Sequence, residues 1–104
     1  MSKMQRVQDR IKIEQDTFFA YMVPQATMGV KYNDDMIQIV MMIPIESRNT
    51  FWYLDYGQDY PFKPPTLRGP IDTDVPCLKR WSCKVRAGQI ANEIAKYLAN
   101  LDTL

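Results

Sequence analysis

The chain contains no histidine. That absence excludes the common zinc-ligand sets, and every scheme in which an imidazole of this chain shuttles the proton or activates a nucleophile. No metal site and no cofactor is therefore expected. Cysteine is nearly as scarce, Cys77 and Cys83 being the only two. Their spacing permits a disulfide, but a chain without a secretory leader pattern is expected to keep its thiols reduced. Charge of one sign is lacking as well, since the formal net charge is +1. No long-range field draws in nucleic acid or an anionic membrane surface. No apolar run approaches the length of a membrane span. No basic segment leads into an apolar core and cleavage site, so the cytoplasm or nucleus is the expected location.

What is present is 104 residues with 46% hydrophobic content, enough for one core and too little for two. Residues 1–104 are expected to form a single domain. Met4, Val7, Ile11 and Phe18 recur at helical spacing between charged residues, with Ser2 placed to cap. They predict an amphipathic helix over residues 3–20, ended by Pro24 at the latest. A short strand is expected from Gly29 to Tyr32, followed by an Asn33-Asp34-Asp35 turn. Ile37, Ile39, Met41, Ile43 and Ile45 then alternate, with Val40 and Met42 on the opposite side. A strand apolar on both faces belongs in the middle of a sheet. Pro44 predicts that pairing fades near its end, and Glu46 to Asn49 a polar turn.

The run Phe51-Trp52-Tyr53-Leu54-Asp55-Tyr56 predicts an aromatic strand, one of whose alternating sets must face away from the core. Thr66 to Ile71 supplies a fourth strand, interrupted by Gly69-Pro70. Ile90, Ile94, Tyr97, Leu98 and Leu101 trace the stripe of a second helix from about Ala87, able to cover the sheet's inner face. The expected fold class is α+β: an N-terminal helix, a four-stranded antiparallel meander, a proline-rich loop and a C-terminal helix.

That loop is Tyr60-Pro61-Phe62-Lys63-Pro64-Pro65. Its prolines fix φ and remove backbone donors, so it cannot continue a sheet and must form an ordered, extended turn at the sheet's edge. From Phe51 to Pro65 the order of residue types resembles the ubiquitin-conjugating fold. Its members read aromatic strand, Asp-Tyr-Pro-Phe-Lys-Pro-Pro, then another strand, and Asp59 to Pro65 carries that motif intact. The resemblance extends more loosely to the first helix, to Pro76, Leu78 and Trp81, and to the helix that follows.

In that family an active enzyme carries ubiquitin as a thioester on one cysteine, with a His-Pro-Asn motif between the Pro-Pro turn and the nucleophile. The asparagine serves the oxyanion, and losing one such donor costs roughly a hundred- to a thousandfold in rate. No asparagine lies between Pro65 and Cys77. Cys77-Leu78 resembles the family's Cys-Leu pair and makes Cys77 the candidate nucleophile. Yet it follows Pro65 by only 12 residues and precedes Trp81 by only 4, leaving no room for the enzymes' flap and gate. Pro76-Cys77-Leu78-Lys79-Arg80-Trp81 matches instead the Pro-x-Leu-x-x-Trp of the catalytically inactive ubiquitin-conjugating enzyme variants. There Cys77 stands at an ordinary apolar position, and many such variants also lack the enzymes' two last helices. Lys79, Arg80, Lys84 and Arg86 flank Cys83 and would lower its pKa if they cluster. The alternative is an incidental thiol in a solvated basic loop.

The resemblance implies that Phe62, Lys63 and Ser82 belong to the surface that docks ubiquitin ligases and the activating enzyme. Cys83 stands where the family has proline. An apolar ring held between prolines loses little entropy on binding and suits an anchor, unless Phe62 folds back on the sheet edge. Ile43-Pro44-Ile45 and Arg48-Asn49-Thr50-Phe51 also resemble the hairpin of the variant domain in the ESCRT-I sorting complex, which binds ubiquitin and proline-rich peptides. Phe51 is the candidate groove residue it offers, the alternative being a core position. The leading expectation is a non-catalytic, truncated relative of the conjugating enzymes that binds ubiquitin, a ubiquitin-like protein, or a ligase or conjugating enzyme of that pathway. A compact enzyme forming a thioester on Cys77 is the alternative. An RWD-type interaction scaffold, a class that often works as dimers, is the third.

Overall fold

An antiparallel sheet and two long helices close on one apolar interior because the stripes read above all point into it. The computed structural model describes residues 3–18, 26–33, 36–45, 48–73 and 75–102. The order is α1 (Lys3–Thr17), β1 (Thr27–Tyr32), β2 (Ile37–Ile45), β3 (Arg48–Tyr56), β4 (Thr66–Arg68), α2 (Pro76–Lys79) and α3 (Ala87–Asp102). The strands lie in the order β1-β2-β3-β4, all antiparallel, which is the expected meander. Ile37, Ile39, Met41 and Ile43 of β2 are buried on the inner face with Trp52, Leu54 and Tyr56 of β3. Val7 and Ile11 of α1, Phe18 just beyond it, and Ile90, Ala91, Ile94 and Leu98 of α3 pack over them. The other set of each strand faces outward, and register places Val40 opposite Tyr53 and Met42 opposite Phe51.

β1 begins at Thr27 rather than Gly29, and four further features differ from expectation. α1 stops at Thr17, whose hydroxyl donates back to the Ile13 carbonyl at 2.8 Å, and residues 19–25 lie outside the described residues. Pairing fades toward Pro44 on one side only, since Pro44 still stands opposite Asn49 and β2 runs on to Ile45 along β3. β1 reaches only to Met42, so among the described residues Pro44 sits where β2 has a single neighbour, and a missing donor is tolerated there. Arg48 and Asn49, expected in a turn, belong to β3; Glu46 and Ser47, with Asp34 and Asp35 of the earlier expected turn, lie outside the described residues. β4 ends at Arg68 rather than Ile71: at Gly69 the backbone leaves the ladder and lies against the Trp52 indole, where any Cβ would overlap the ring. The short helix α2 was not expected. It starts on Pro76, a residue whose fixed φ and missing donor suit the first helical position.

One polar group is built into this interior. Glu14 is 0% exposed and occupies an apolar-stripe position of α1, seven residues after Val7. Its carboxylate accepts hydrogen bonds from the Tyr60 hydroxyl at 3.0 Å, from Arg86 Nη1 at 3.2 Å and from the backbone N–H of Ala87. Ala87 opens α3, so the carboxylate satisfies an orphan donor and lies at the positive end of the helix dipole. One side chain of α1 thereby fixes the start of α3 and the proline-rich loop together.

Two stability experiments follow from this joint. Glu14→Gln keeps the shape but leaves Arg86 without its counter-charge, and chemical denaturation is expected to show a loss of about 3 kcal/mol. Tyr60→Phe removes one neutral donor and is expected to cost about 1–2 kcal/mol. Burial first, then neighbouring charge, raises both the Tyr60 and Tyr56 phenols above their ordinary 10.0. They stay protonated in the folded chain where the unfolded chain ionises. Their contribution is fully present below pH 10 and is lost as pH rises beyond it. Denaturation midpoints measured against pH are expected to fall above that value, less steeply in Tyr60→Phe.

Candidate functional site

The proline-rich loop leaves β3 after Tyr56 and is held by its own backbone first. Tyr60 N–H donates to the Gly57 carbonyl at 3.2 Å, and the Asp59 carbonyl accepts from Phe62 N–H at 2.8 Å and Lys63 N–H at 3.0 Å. The Tyr60–Pro61 peptide is cis. Tyr60 then points inward: its ring meets Tyr56 edge-on at 4.5 Å between centroids, with Trp81 at 6.0 Å. Its hydroxyl reaches Glu14. The last proline of the loop, Pro65, is buried.

A second loop, residues 81–86, is fastened to the first. Trp81 Nε1 donates to the Pro61 carbonyl at 2.8 Å. Ser82 closes a turn in which its carbonyl accepts from Val85 N–H at 3.0 Å and its Oγ from Lys84 N–H at 3.2 Å. α1 completes the corner, for Arg10 Nη2 donates to the Cys83 carbonyl at 2.6 Å and the guanidinium lies 5.9 Å from the Tyr60 ring centroid.

On this support Phe62 stands 83% exposed. The possibility that it folds back on the sheet is thus corrected by geometry, because Tyr60 already fills the inward position. Between the loop and α1 runs a cleft of about 530 Å³ whose apolar surface comes from Ile13, Pro61 and Phe62 and whose rim carries Arg6, Asp9 and Asp59. Lys63 lies beside it, in an exposed ion pair with Asp59 at 3.7 Å; such a pair adds little stability. The structure brings Phe62, Lys63 and Ser82 onto two loops joined by the Trp81 hydrogen bond.

Phe51 is elsewhere. It lies on the outer side of β3, 51% exposed, and is not a core residue. Five residues along a strand separate it from Tyr56, roughly 17 Å. It lines a different cleft of about 720 Å³ together with Arg48, Tyr53, Ile71 and Leu98. That cleft had no expectation attached beyond Phe51 itself. The interrupting Gly69-Pro70 was the signal for it.

Cys77 is buried in the first turn of α2, its N–H donating to Glu93 Oε1 at 3.0 Å. Burial, followed by the hydrogen bond and charge of Glu93, pushes its thiol up to about 12. A nucleophile that must act as thiolate is poorly served there. Cys83 is exposed and unbridged. Arg86, expected beside it in a basic cluster, turns inward to Glu14 instead, while Lys79, Arg80 and Lys84 remain exposed. Among the described residues, no group of three His, Cys, Asp or Glu side chains is placed to hold a metal ion. No helix among them is long and apolar enough to cross a membrane.

The residues that sequence reading missed here are Glu14 and Arg10. Glu14 was visible as a carboxylate on the apolar stripe of α1, whereas nothing local marks Arg10. No protein-family profile matches the chain, and neither a curated protein nor a solved structure is significantly similar to it.

The two thiols are expected to separate cleanly in reactivity. With a thiol near 12, Cys77 is only about one part in ten thousand thiolate at pH 8. Titration of the native protein with Ellman's reagent should release one rapid equivalent, absent in Cys83→Ser and unchanged in Cys77→Ser. Two rapid equivalents would contradict the buried position of Cys77.

Proposed function

We propose that the chain is a non-catalytic relative of the ubiquitin-conjugating enzymes, and that it acts by docking a protein of that pathway on the corner formed by α1, the Phe62 loop and the Ser82 loop. The observation that carries this reading is Phe62: a large apolar ring exposed to solvent on a loop fixed by its own turn, by Tyr60 and by Trp81. An exposed ring on a fixed frame is a pre-organised anchor, since little conformational freedom remains to be lost on binding. The flanking cleft adds a hydrophobic centre with charges at its edge, the usual anatomy of a specific interface. The Asp-Tyr-Pro-Phe-Lys-Pro-Pro wording supports the choice of pathway, and with it a cytoplasmic or nuclear setting. The buried thiol of Cys77, its pKa pushed up by burial and by Glu93, and the missing asparagine speak against thioester transfer.

The test is a resonance titration of the labelled chain with three probes in turn: ubiquitin, the ubiquitin-fold domain of an activating enzyme, and a RING-type ligase domain. At least one is expected to shift amides of residues 58–63 and 81–84. Phe62→Ala should weaken that binding by about tenfold or more. Silence from all three at high concentration would leave only a scaffold outside this pathway. In parallel, incubation with activating enzyme, ATP and ubiquitin is expected to give no thiol-sensitive adduct under conditions that charge another carrier. An adduct lost in Cys77→Ser would establish a conjugating enzyme.

A further inference from the structure

The larger cleft has a shape that the sheet itself explains. β3 pairs with β2 along its whole length, from Arg48 to Tyr56. On its other side β4 pairs only with Tyr53, Leu54 and Asp55. After Arg68 the chain leaves the ladder at Gly69 to lie against the Trp52 indole. The Arg48–Trp52 half of β3 therefore has an open edge, with backbone donors and acceptors that no strand among the described residues takes up. The cleft follows that edge and does not lie on one face of the sheet. By alternation Asn49, Phe51 and Tyr53 reach it from the outer side of the strand, whereas Arg48 comes from the inner parity and Leu98 from α3 beneath. Ile71, 45% exposed, forms the opposite wall.

Its charge is one-sided. Among the described residues no carboxylate lines the cleft, whose charged residues are Arg48 and Arg68. Arg68 is engaged, donating to both oxygens of Asp55 at 2.9 and 3.3 Å and lying 5.3 Å from the Tyr53 ring centroid. Arg48 is exposed and has no ion-pair partner among the described residues. A guanidinium with no ion-pair partner among the described residues thus stands at the far end of an open strand edge between two apolar walls.

The geometry points to a peptide-binding site here: an extended acidic-hydrophobic segment of a partner protein adds to the free edge of β3 in line with β4, antiparallel to β3. Its side chains of one parity lie beside Phe51 on the outer side and those of the other parity over Leu98, with Ile71 at its flank. Its C-terminal carboxylates meet Arg48. Continuation of β4 sets this polarity, because a strand running on past Arg68 reaches the partners of Trp52 first and of Arg48 last. Strand addition draws affinity from main-chain hydrogen bonds and specificity from alternate side-chain pockets. A proline-rich ligand lacks donors for that ladder, and a basic one would face Arg48. The site is independent of the Phe62 corner and stands or falls without it.

The probe is a synthetic acetylated peptide, threonine-valine-threonine-leucine-threonine-aspartate-glutamate with a free C-terminus, titrated into the labelled full chain. Amides of residues 49–52 are expected to shift and to exchange more slowly with solvent. Arg48→Glu and Phe51→Ala, both at exposed positions and each first checked for an intact fold by circular dichroism, should each weaken binding by about tenfold or more, and Phe62→Ala should leave it unchanged. A peptide N-methylated at its valine and leucine should lose binding, as should one ending in two lysines. The inference is overturned if residues 49–52 stay silent at millimolar peptide, if the N-methylated, lysine-ended or a proline-rich peptide binds equally well, or if sedimentation shows that a second copy of the chain already occupies this edge in a dimer that Phe51→Ala dissociates.

Discussion

The buried carboxylate of Glu14 is the interaction on which the rest of this structure depends. A charge taken out of water is tolerated only when its lone pairs are matched by donors, and here three donors come from two distant places in the chain. Tyr60 belongs to the proline-rich loop, Arg86 to the loop before α3, and Ala87 to the first turn of α3 itself. Helix packing alone would leave α1 free to slide against α3. The hydrogen bonds set their relative position, because each has a length and a direction that apolar contacts lack.

The exposed corner inherits that order. Tyr60 cannot serve Glu14 unless the loop turns inward at that residue, and once it does, Pro61 and Phe62 are carried outward. Trp81 then locks the second loop to the first through the Pro61 carbonyl. A surface phenylalanine thus owes its exposure to a buried glutamate that it never touches. The opposite end of the sheet obeys a different constraint, steric rather than polar: the approach of Gly69 to Trp52 shortens β4 and opens the edge of β3.

Much of this architecture was legible in the residues. The alternation from Ile37 to Ile43 marked a strand buried between neighbours, and the Ile90, Ile94, Leu98 stripe marked α3 from its first turn, because period alone decides both. The aromatic run left its facing open, since both alternating sets are apolar enough to be core; packing against the helices chose Trp52, Leu54 and Tyr56. α2 escaped notice because four residues are too few to show a period. The candidate corner was half legible. Phe62 and Ser82 could be marked by wording, while Arg10 gains its place only from long-range folding, 73 residues from the carbonyl it meets. The open edge of β3 escaped for a related reason, as a strand's unpaired groups are a property of its neighbour's length.

The two tryptophans divide between these two regions. Trp52 is wholly buried beside the open edge, its indole N–H given to Thr50 Oγ1 at 2.8 Å, and Trp81 is half-buried on the loop corner with its N–H given to a backbone carbonyl. Each indole is therefore an optical reporter for one end of the molecule. A variant keeping only one of them would let emission wavelength and quenching follow the sheet edge or the loops in isolation, so that events at the two ends could be timed against each other within a single chain.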